Sequence, residues 1–410
     1  KMLINKITYN YFLALFTLVP VSIVLGSSIS LINILLIDIS FILLLIKRGD
    51  YSFLKNDAIK YLFILYLYLI FNTFISIDIT SGIYRNFGFI RIIILFLAIN
   101  FFFNQKFFMD KLFKSWLIIF SIIIFDVYFE YFNGTNLLGF PETREESISY
   151  GSRLVSFFKD EPIVGGFING FYLILIGFLA KKFNIDKKQI IFFVSLVFLI
   201  SIILTGERSN SIKALFGLVL FLLFFREFSN KLKAGLIFIS FVSVLILILN
   251  SQYFKLRYTQ QIKNAFTSNS KYLGLYKSGI KVFQNYPVFG AGTKNYRIET
   301  CQNNKRGTGD QEDKYWCSNH PHQIYIEFLS EHGLVGSLVV FFILFKLIFS
   351  KIFKVLRDAN YVQIGSMIFL LSTFLPLIPG GSFFNDYSIT IFGLNLGIFY
   401  ASNKNFNIFN

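Results

Sequence analysis

Apolar residues recur along the chain in long blocks, separated at short intervals by clusters of Lys, Asp, Asn, Gly and Pro. A helix needs about 20 largely apolar residues to cross a bilayer. Runs of this kind lie near 9–26, 29–46, 58–76, 84–103, 112–132, 162–180, 189–206, 211–225, 234–250, 323–349, 361–379 and 387–402. The pattern predicts an all-α polytopic membrane protein with about twelve transmembrane helices; several runs are short, so eleven or thirteen also fit. Three regions follow: residues 1–250 with the first nine spans and a loop at about 133–161, a long loop domain at 251–322, and residues 323–410 with the last three spans. No internal repeat is visible, which leaves an inverted-repeat transporter unsupported. The first run lacks a small-residue cleavage site, so a cleavable signal peptide is not expected.

Composition agrees with the pattern. The chain is 55% hydrophobic, 19% aromatic and only 15% charged, with a mean hydropathy of +0.61. A soluble domain sits nearer 45–50% apolar with about a quarter of its residues charged. The net charge of +16 becomes informative once it is located. The connections KRGDYSFLKND, NQKFFMDKLFK, KKFNIDKK, REFSNKLK and KIFKVLRDAN carry three or four Lys/Arg each, whereas DITSGIYR and PGGSFFNDY carry one and none. The positive-inside rule then places both termini in the cytoplasm and the long loops on the opposite face of a bacterial inner membrane. Much of the charge is thus topological, and no nucleic-acid partner is inferred. The 251–322 loop is also basic, but loops beyond about 60 residues escape the rule. Its lysines and arginines point to an anionic ligand, the competing reading being contact with lipid headgroups.

All three histidines fall within "SNHPHQIYIEFLSEHGLVG", and the only cysteines, Cys301 and Cys317, lie just upstream. In an oxidising compartment the cysteines are expected to pair, closing a short loop for about 3 kcal/mol in the chain-entropy account. A Cys/His zinc site is the rival, but the spacing matches no familiar zinc pattern. Pro321 suits the first helical position, with Asn319 or His320 as cap. That places His322 in the first turn of the tenth span. Counting about 100° per residue, Tyr325, Leu329, Gly333 and Gly336 share its face, and Glu331 points away. The positive helix end keeps an imidazole neutral, as a general base requires. A structural role is the alternative for each histidine, and a stronger one for His320 and His332.

Arginines supply the complementary half. "LTGERSNSIK" places Arg208 between the seventh and eighth spans, "SYGSRLVSFFKDEP" places Arg153 before the sixth, and Arg85 and Arg91 lie in or beside the fourth. Guanidinium at a membrane surface is costly unless paired or hydrated, and its fork suits phosphate oxygens; snorkelling to headgroups is the competing explanation. "LGLYKSGIKVFQN" reads as an amphipathic helix lying along the membrane, with Leu273, Tyr276, Ile280 and Phe283 as its apolar stripe. The following Gly290-Ala291-Gly292 is a turn, not a dinucleotide loop.

"GSRLVSFFKDEP", "LTGERSNSIK", "YPVFGAGTKNYR" and "HPHQIYIEFLSEHGLVG", in this order and with a long loop before the last, resemble the O-antigen ligase and O-antigen polymerase superfamily. The resemblance implies a membrane glycosyltransferase of GT-C-like architecture that moves a glycan from undecaprenyl diphosphate to an acceptor sugar on the periplasmic face. The acceptor is lipid A core for a ligase and a second lipid-linked glycan for a polymerase, and no metal or other cofactor is expected. It makes His322 the base and Arg208 a diphosphate ligand, with Arg153, Lys271 and Arg91 as further candidates. His320, Gln323, Tyr325, Glu331 and His332 are candidate acceptor or supporting groups. One departure is visible: where the family often has an arginine shortly before the amphipathic helix, this chain has Ser270-Lys271-Tyr272. Lysine brings charge without a bidentate fork. The alternative from another class is a glycan transporter or flippase, which would favour ionisable groups near mid-membrane.

Overall fold

A computed structural model describes residues 4–49, 51–140, 153–159, 161–182, 188–260, 262–263, 270–302 and 314–410. The first residues of the SYGSRLVSFFKDEP motif, the centre of KKFNIDKK, and Lys305 and Arg306 of the basic loop lie outside these. Every apolar run carries a helix, and no strand occurs among the described residues. In chain order the helices are α1 (Lys6–Leu25), α2 (Ser27–Arg48), α3 (Asp57–Phe74), α4 (Ile79–Gly88), α5 (Ile90–Phe103), α6 (Phe108–Asn133) and α7 (Val164–Lys182). There follow α8 (Lys188–Leu204), α9 (Arg208–Phe224), α10 (Asn230–Asn250), α11 (Lys271–Asn285), α12 (Ile324–Leu347), α13 (Tyr361–Thr373) and α14 (Asp386–Ala401). Polar residues at the edges of the runs start them: Asn5, Asn56, Asp78, Ser229, Asn360 and Asn385 each accept a bond from a backbone N–H of the first turn.

Among the described residues, eight helices are long and apolar enough to cross a membrane, α4 with α5 counting as one. The expected twelve is not reached on this measure, because α8, α9, α13 and α14 span only 17, 17, 13 and 16 residues. Short helices survive at the centre because their neighbours there are protein. A Cβ on Gly177 of α7 would fall 2.2 Å from the Tyr361 carbonyl oxygen, and one on Gly365 of α13 would fall 2.1 Å from that of Leu173. The two backbones therefore touch, the close approach that small residues permit where apolar burial alone gives helices no reason to associate. On its other side α13 packs against α14, and α14 against α5. Polar side chains inside this layer bond across it: Asn395 Nδ2 donates to the Gly170 carbonyl at 2.9 Å, and Ser366 Oγ to that of Asn395 at 2.6 Å.

One expectation about local structure gains a protein contact and another needs correction. Helix α11 forms, and it buries Leu275, Ser278, Gly279 and Val282, a face turned away from the predicted stripe. This small-residue face packs on the start of α12, where Gly279 meets Ile326 and Pro321, while Ile280 of the stripe is exposed. In addition, α12 is broken. Gly333 has φ 63° and ψ −168° within it, so the helical projection from residue 322 to residue 336 does not hold.

The candidate active site

The break in α12 is filled by another part of the chain. Ala291 and Gly292 donate to the carbonyls of Ser330 and Glu331 at 2.8 and 2.9 Å. Leu334 and Val335 donate in turn to those of Pro287 and Val288 at 2.8 and 3.0 Å. The Gly290-Ala291-Gly292 segment, expected to be a simple turn, is thus threaded into the helix and satisfies the groups that the break frees, as burial at this depth demands. Asn72 of α3 holds the far side, accepting from the Thr293 N–H at 2.9 Å and donating to the Glu331 carbonyl at 3.2 Å. Helix α12 is therefore fixed in place before its histidine-bearing entrance is reached.

That entrance differs from the helical start expected at Pro321. Gln323 is the cap, its side chain accepting from the Ile326 N–H at 2.8 Å, and the helix begins at Ile324. His322 precedes it with φ 58°, in the left-handed region that non-glycine residues rarely occupy. Gly380, between α13 and α14, clamps this conformation: its N–H donates to the His322 carbonyl at 2.9 Å, and its carbonyl oxygen lies 3.2 Å from His320 Nε2. A carbonyl only accepts, so that contact places the proton of neutral His320 on Nε2. The two imidazoles lie 4.1 Å apart between centroids, and Tyr272 stands edge-on to His322 at 6.1 Å.

Burial and then the Lys271 ammonium hold the His322 imidazole below the usual histidine range, against an opposing contact from the Gly380 carbonyl. His320 is pushed down to about 4 by burial and the charge of its neighbour, with Arg85 adding to the effect. Both are neutral at pH 7.

A second cluster forms where α6, α7 and α9 end together. Glu207 binds the N-terminal end of α7, accepting from the N–H groups of Gly165 and Gly166 at 2.5 and 3.1 Å and from Asn210 Nδ2 at 2.7 Å. Desolvation raises its proton affinity, and these bonds and Arg153 oppose the shift. The Gly-Glu-Arg-Ser-Asn turn is polar because Glu207 anchors it, which fixes Arg208 as the next residue. Arg153 enters through a strand of chain tied to α6: Glu130 accepts from the Val155 and Ser156 N–H groups at 2.9 and 2.6 Å. Arg257, which was not singled out from the sequence, joins the pair. It is buried, donates to the Gly206 carbonyl at 2.8 Å, and lies within electrostatic reach of Arg153 and Arg208. It also precedes α11, whereas Lys271 lies within electrostatic reach of His322.

The remaining candidates have other company. His332 is fully buried among Phe328, Phe384 and Tyr68, whose hydroxyl lies 3.3 Å from Nδ1. Glu331 is buried and held by the backbone N–H groups of Lys294 and Tyr296. Tyr325 donates to the Phe374 carbonyl at 2.6 Å and stacks on Phe341. Arg91 is ion-paired with Asp386. Cys301 and Cys317 form a disulfide, as expected.

The site thus combines a half-buried histidine pair with an arginine cluster in an apolar helical bundle. The O-antigen ligase family model matches residues 193–342. This stretch runs from α8 through the break in α12 and contains Arg208, Arg257, His320 and His322. The match bears out, over that stretch, the resemblance to the O-antigen ligase and polymerase superfamily. No curated protein matches the chain.

Proposed function

We propose that the protein is an O-antigen ligase-like glycosyltransferase, with its active site on the periplasmic face of the inner membrane. It moves a glycan from undecaprenyl diphosphate to an acceptor sugar, lipid A core in a ligase. The observation that carries this reading is the His322 geometry: a left-handed backbone clamped by Gly380 presents an imidazole that burial keeps neutral, hence able to take a proton. His322 removes the proton of the acceptor hydroxyl as that oxygen attacks the anomeric carbon. The bond to the diphosphate breaks on the opposite side, so the configuration inverts. The electron pair leaves on the diphosphate, whose growing charge the guanidinium groups of Arg208, Arg153 and Arg257 neutralise. With so stabilised a leaving group an acid catalyst is unnecessary, and neither metal nor other cofactor is required.

Connectivity supports placing the two clusters in one site. Residues 380–387 run from the histidine clamp to Tyr387, whose hydroxyl donates to the Ile163 carbonyl at 3.3 Å beside the arginine cluster. Seven residues reach at most about 25 Å, which keeps both clusters in one region of the bundle. The test is transfer by purified protein from an undecaprenyl-diphosphate glycan to lipid A core. Arg208→Lys should lower it by 10²-fold or more. Transfer to a second lipid-linked glycan, and none to lipid A core, would identify a polymerase. No transfer to either, with transbilayer movement of the glycolipid in vesicles, would replace the reading with a flippase.

A further inference from the structure

A cavity of about 160 Å³ opens between the α1–α2 turn, the segment before α7 and the first turn of α14. Ile163 and Tyr387 line it, so it adjoins the arginine cluster, but Arg153, Arg208 and Arg257 are not among its walls. Its two walls differ in chemistry. One is apolar, with Ile23, Leu31 and Ile34 of α1 and α2; the other carries Arg91, Lys159, Glu161 and Asp386, two charges of each sign. The Asp386 side chain keeps 51% of its surface exposed despite its pairing with Arg91. Arg91 Nε is buried with no partner.

A purely apolar ligand would leave these charged groups unanswered. A phosphate would meet two carboxylates. Hydroxyl groups fit both signs, since they donate to carboxylates and accept from guanidinium. We infer that this cavity is a glycolipid-binding site, in which Arg91, Glu161 and Asp386 hold the sugars of a membrane-anchored acceptor and α1 and α2 hold its acyl chains. The inference rests on the proposed transferase reading for the word acceptor, though not for the binding. The lipid side is continuous with the bilayer, because Leu25, Ile29 and Ile32 beside the cavity are exposed. The sugar side is joined to the histidines through the chain. Arg85 donates to the Phe384 carbonyl at 3.4 Å and bears on His320, and the six residues from Gly380 to Asp386 reach at most about 20 Å.

Binding is tested without catalysis. Purified full-length protein in lauryl dimethylamine oxide, a sugar-free detergent, is incubated with lipid A–core glycolipid, undecaprenyl diphosphate or phosphatidylglycerol, and bound lipid is counted by native mass spectrometry. Wild type should retain the glycolipid over phosphatidylglycerol. Ser30→Trp, which fills the cavity, and Glu161→Gln, which removes one charge outside any helix, should each lower that retention at least fivefold while leaving undecaprenyl diphosphate retention unchanged. In the transfer assay the same variants should raise the acceptor KM about tenfold with the donor KM unaltered. Equal glycolipid retention by wild type and Glu161→Gln, or no retention by wild type, would overturn the assignment. Loss of undecaprenyl diphosphate instead would make the cavity part of the donor path. Binding without any transfer would leave this site standing and remove the transferase reading.

Discussion

Gly290 and Gly333 meet so closely that a Cβ on Gly333 would fall 2.5 Å from the Gly290 backbone nitrogen. Both have positive φ, at 76° and 63°. Each therefore combines a left-handed backbone with a contact that no side chain tolerates, and the contact is with backbone, which cannot swing aside. Gly290→Ala and Gly333→Ala are each expected to destabilise the protein by about 2 kcal/mol or more. Loss of folded protein in membranes, or a lower unfolding midpoint in detergent, reads this out. A wild-type midpoint in both would mean that the threaded segment is not what holds the break in α12.

The histidines should separate by role. His322→Ala is expected to lower transfer by 10²- to 10⁴-fold, the usual worth of a general base, with protein level and unfolding midpoint unchanged. His332→Ala removes a ring packed among aromatics and should lower the unfolding midpoint more than the rate per folded molecule. Measured kcat and midpoint for both variants decide the matter, and wild-type kcat for His322→Ala would remove it from the mechanism.

The extent to which this was legible in the sequence follows from the physics of each feature. His322 stood out because the chain uses so few histidines, and the disulfide because there are only two cysteines. Glu207 and Arg208 showed themselves as polarity in excess of what a connection needs. Arg257 was hidden among the other basic residues of its loop, since charge count says nothing about burial. Precedence to α11 was the signal that could have found it. The protein-facing side of α11 was not visible in its apolar stripe, for a reason specific to membranes. There the apolar stripe is free to meet lipid, and the small residues Ser278 and Gly279 mark the protein contact. The break at Gly333 depends on backbone bonds to residues 39 and 47 positions away, and periodicity within one helix carries no trace of those.

The pH profile follows from the lowered proton affinity of His322. A depressed value means the imidazole loses its proton below the ordinary 6.5. The base is thus mainly neutral at pH 7, and transfer falls as pH drops through that lowered value. The Lys271 charge helps to depress it, so Lys271→Met should move the acid limb to higher pH. The move should be less than about one unit, since Lys271 is exposed and screened by solvent. High salt should shrink the difference between the two enzymes. A limb that stays in place, or moves to lower pH, would separate Lys271 from the base.

If guanidinium groups alone neutralise the departing diphosphate, chelation should leave transfer intact. Purified protein is expected to keep its rate in EDTA. A loss that Mg²⁺ or Zn²⁺ restores would require a divalent ion in the mechanism and displace the arginines from that role.

The disulfide joins two differently anchored pieces of chain. On one side Cys301 ends the short helix Asn295–Thr300, which Asn295 ties to Asp78 through its side chain, accepting from the Asp78 N–H at 2.7 Å. On the other side Cys317 leads into His320 and His322. The bridge, with its Cα atoms 4.6 Å apart, therefore transmits the position of a fixed helix to the segment carrying the base. Gly380 still holds His322 when the bridge is gone, so the base should wander without being lost. Cys301→Ser with Cys317→Ser is expected to lower kcat on the order of tenfold, since misplacement of about 1 Å costs up to 10²-fold. That loss should remain smaller than the loss in His322→Ala. Dithiothreitol should reproduce it in the wild type and add nothing to the double variant. Full activity in the double variant would show that Gly380 alone positions the base, and two freely alkylated thiols in oxidised protein would remove the bridge from the argument.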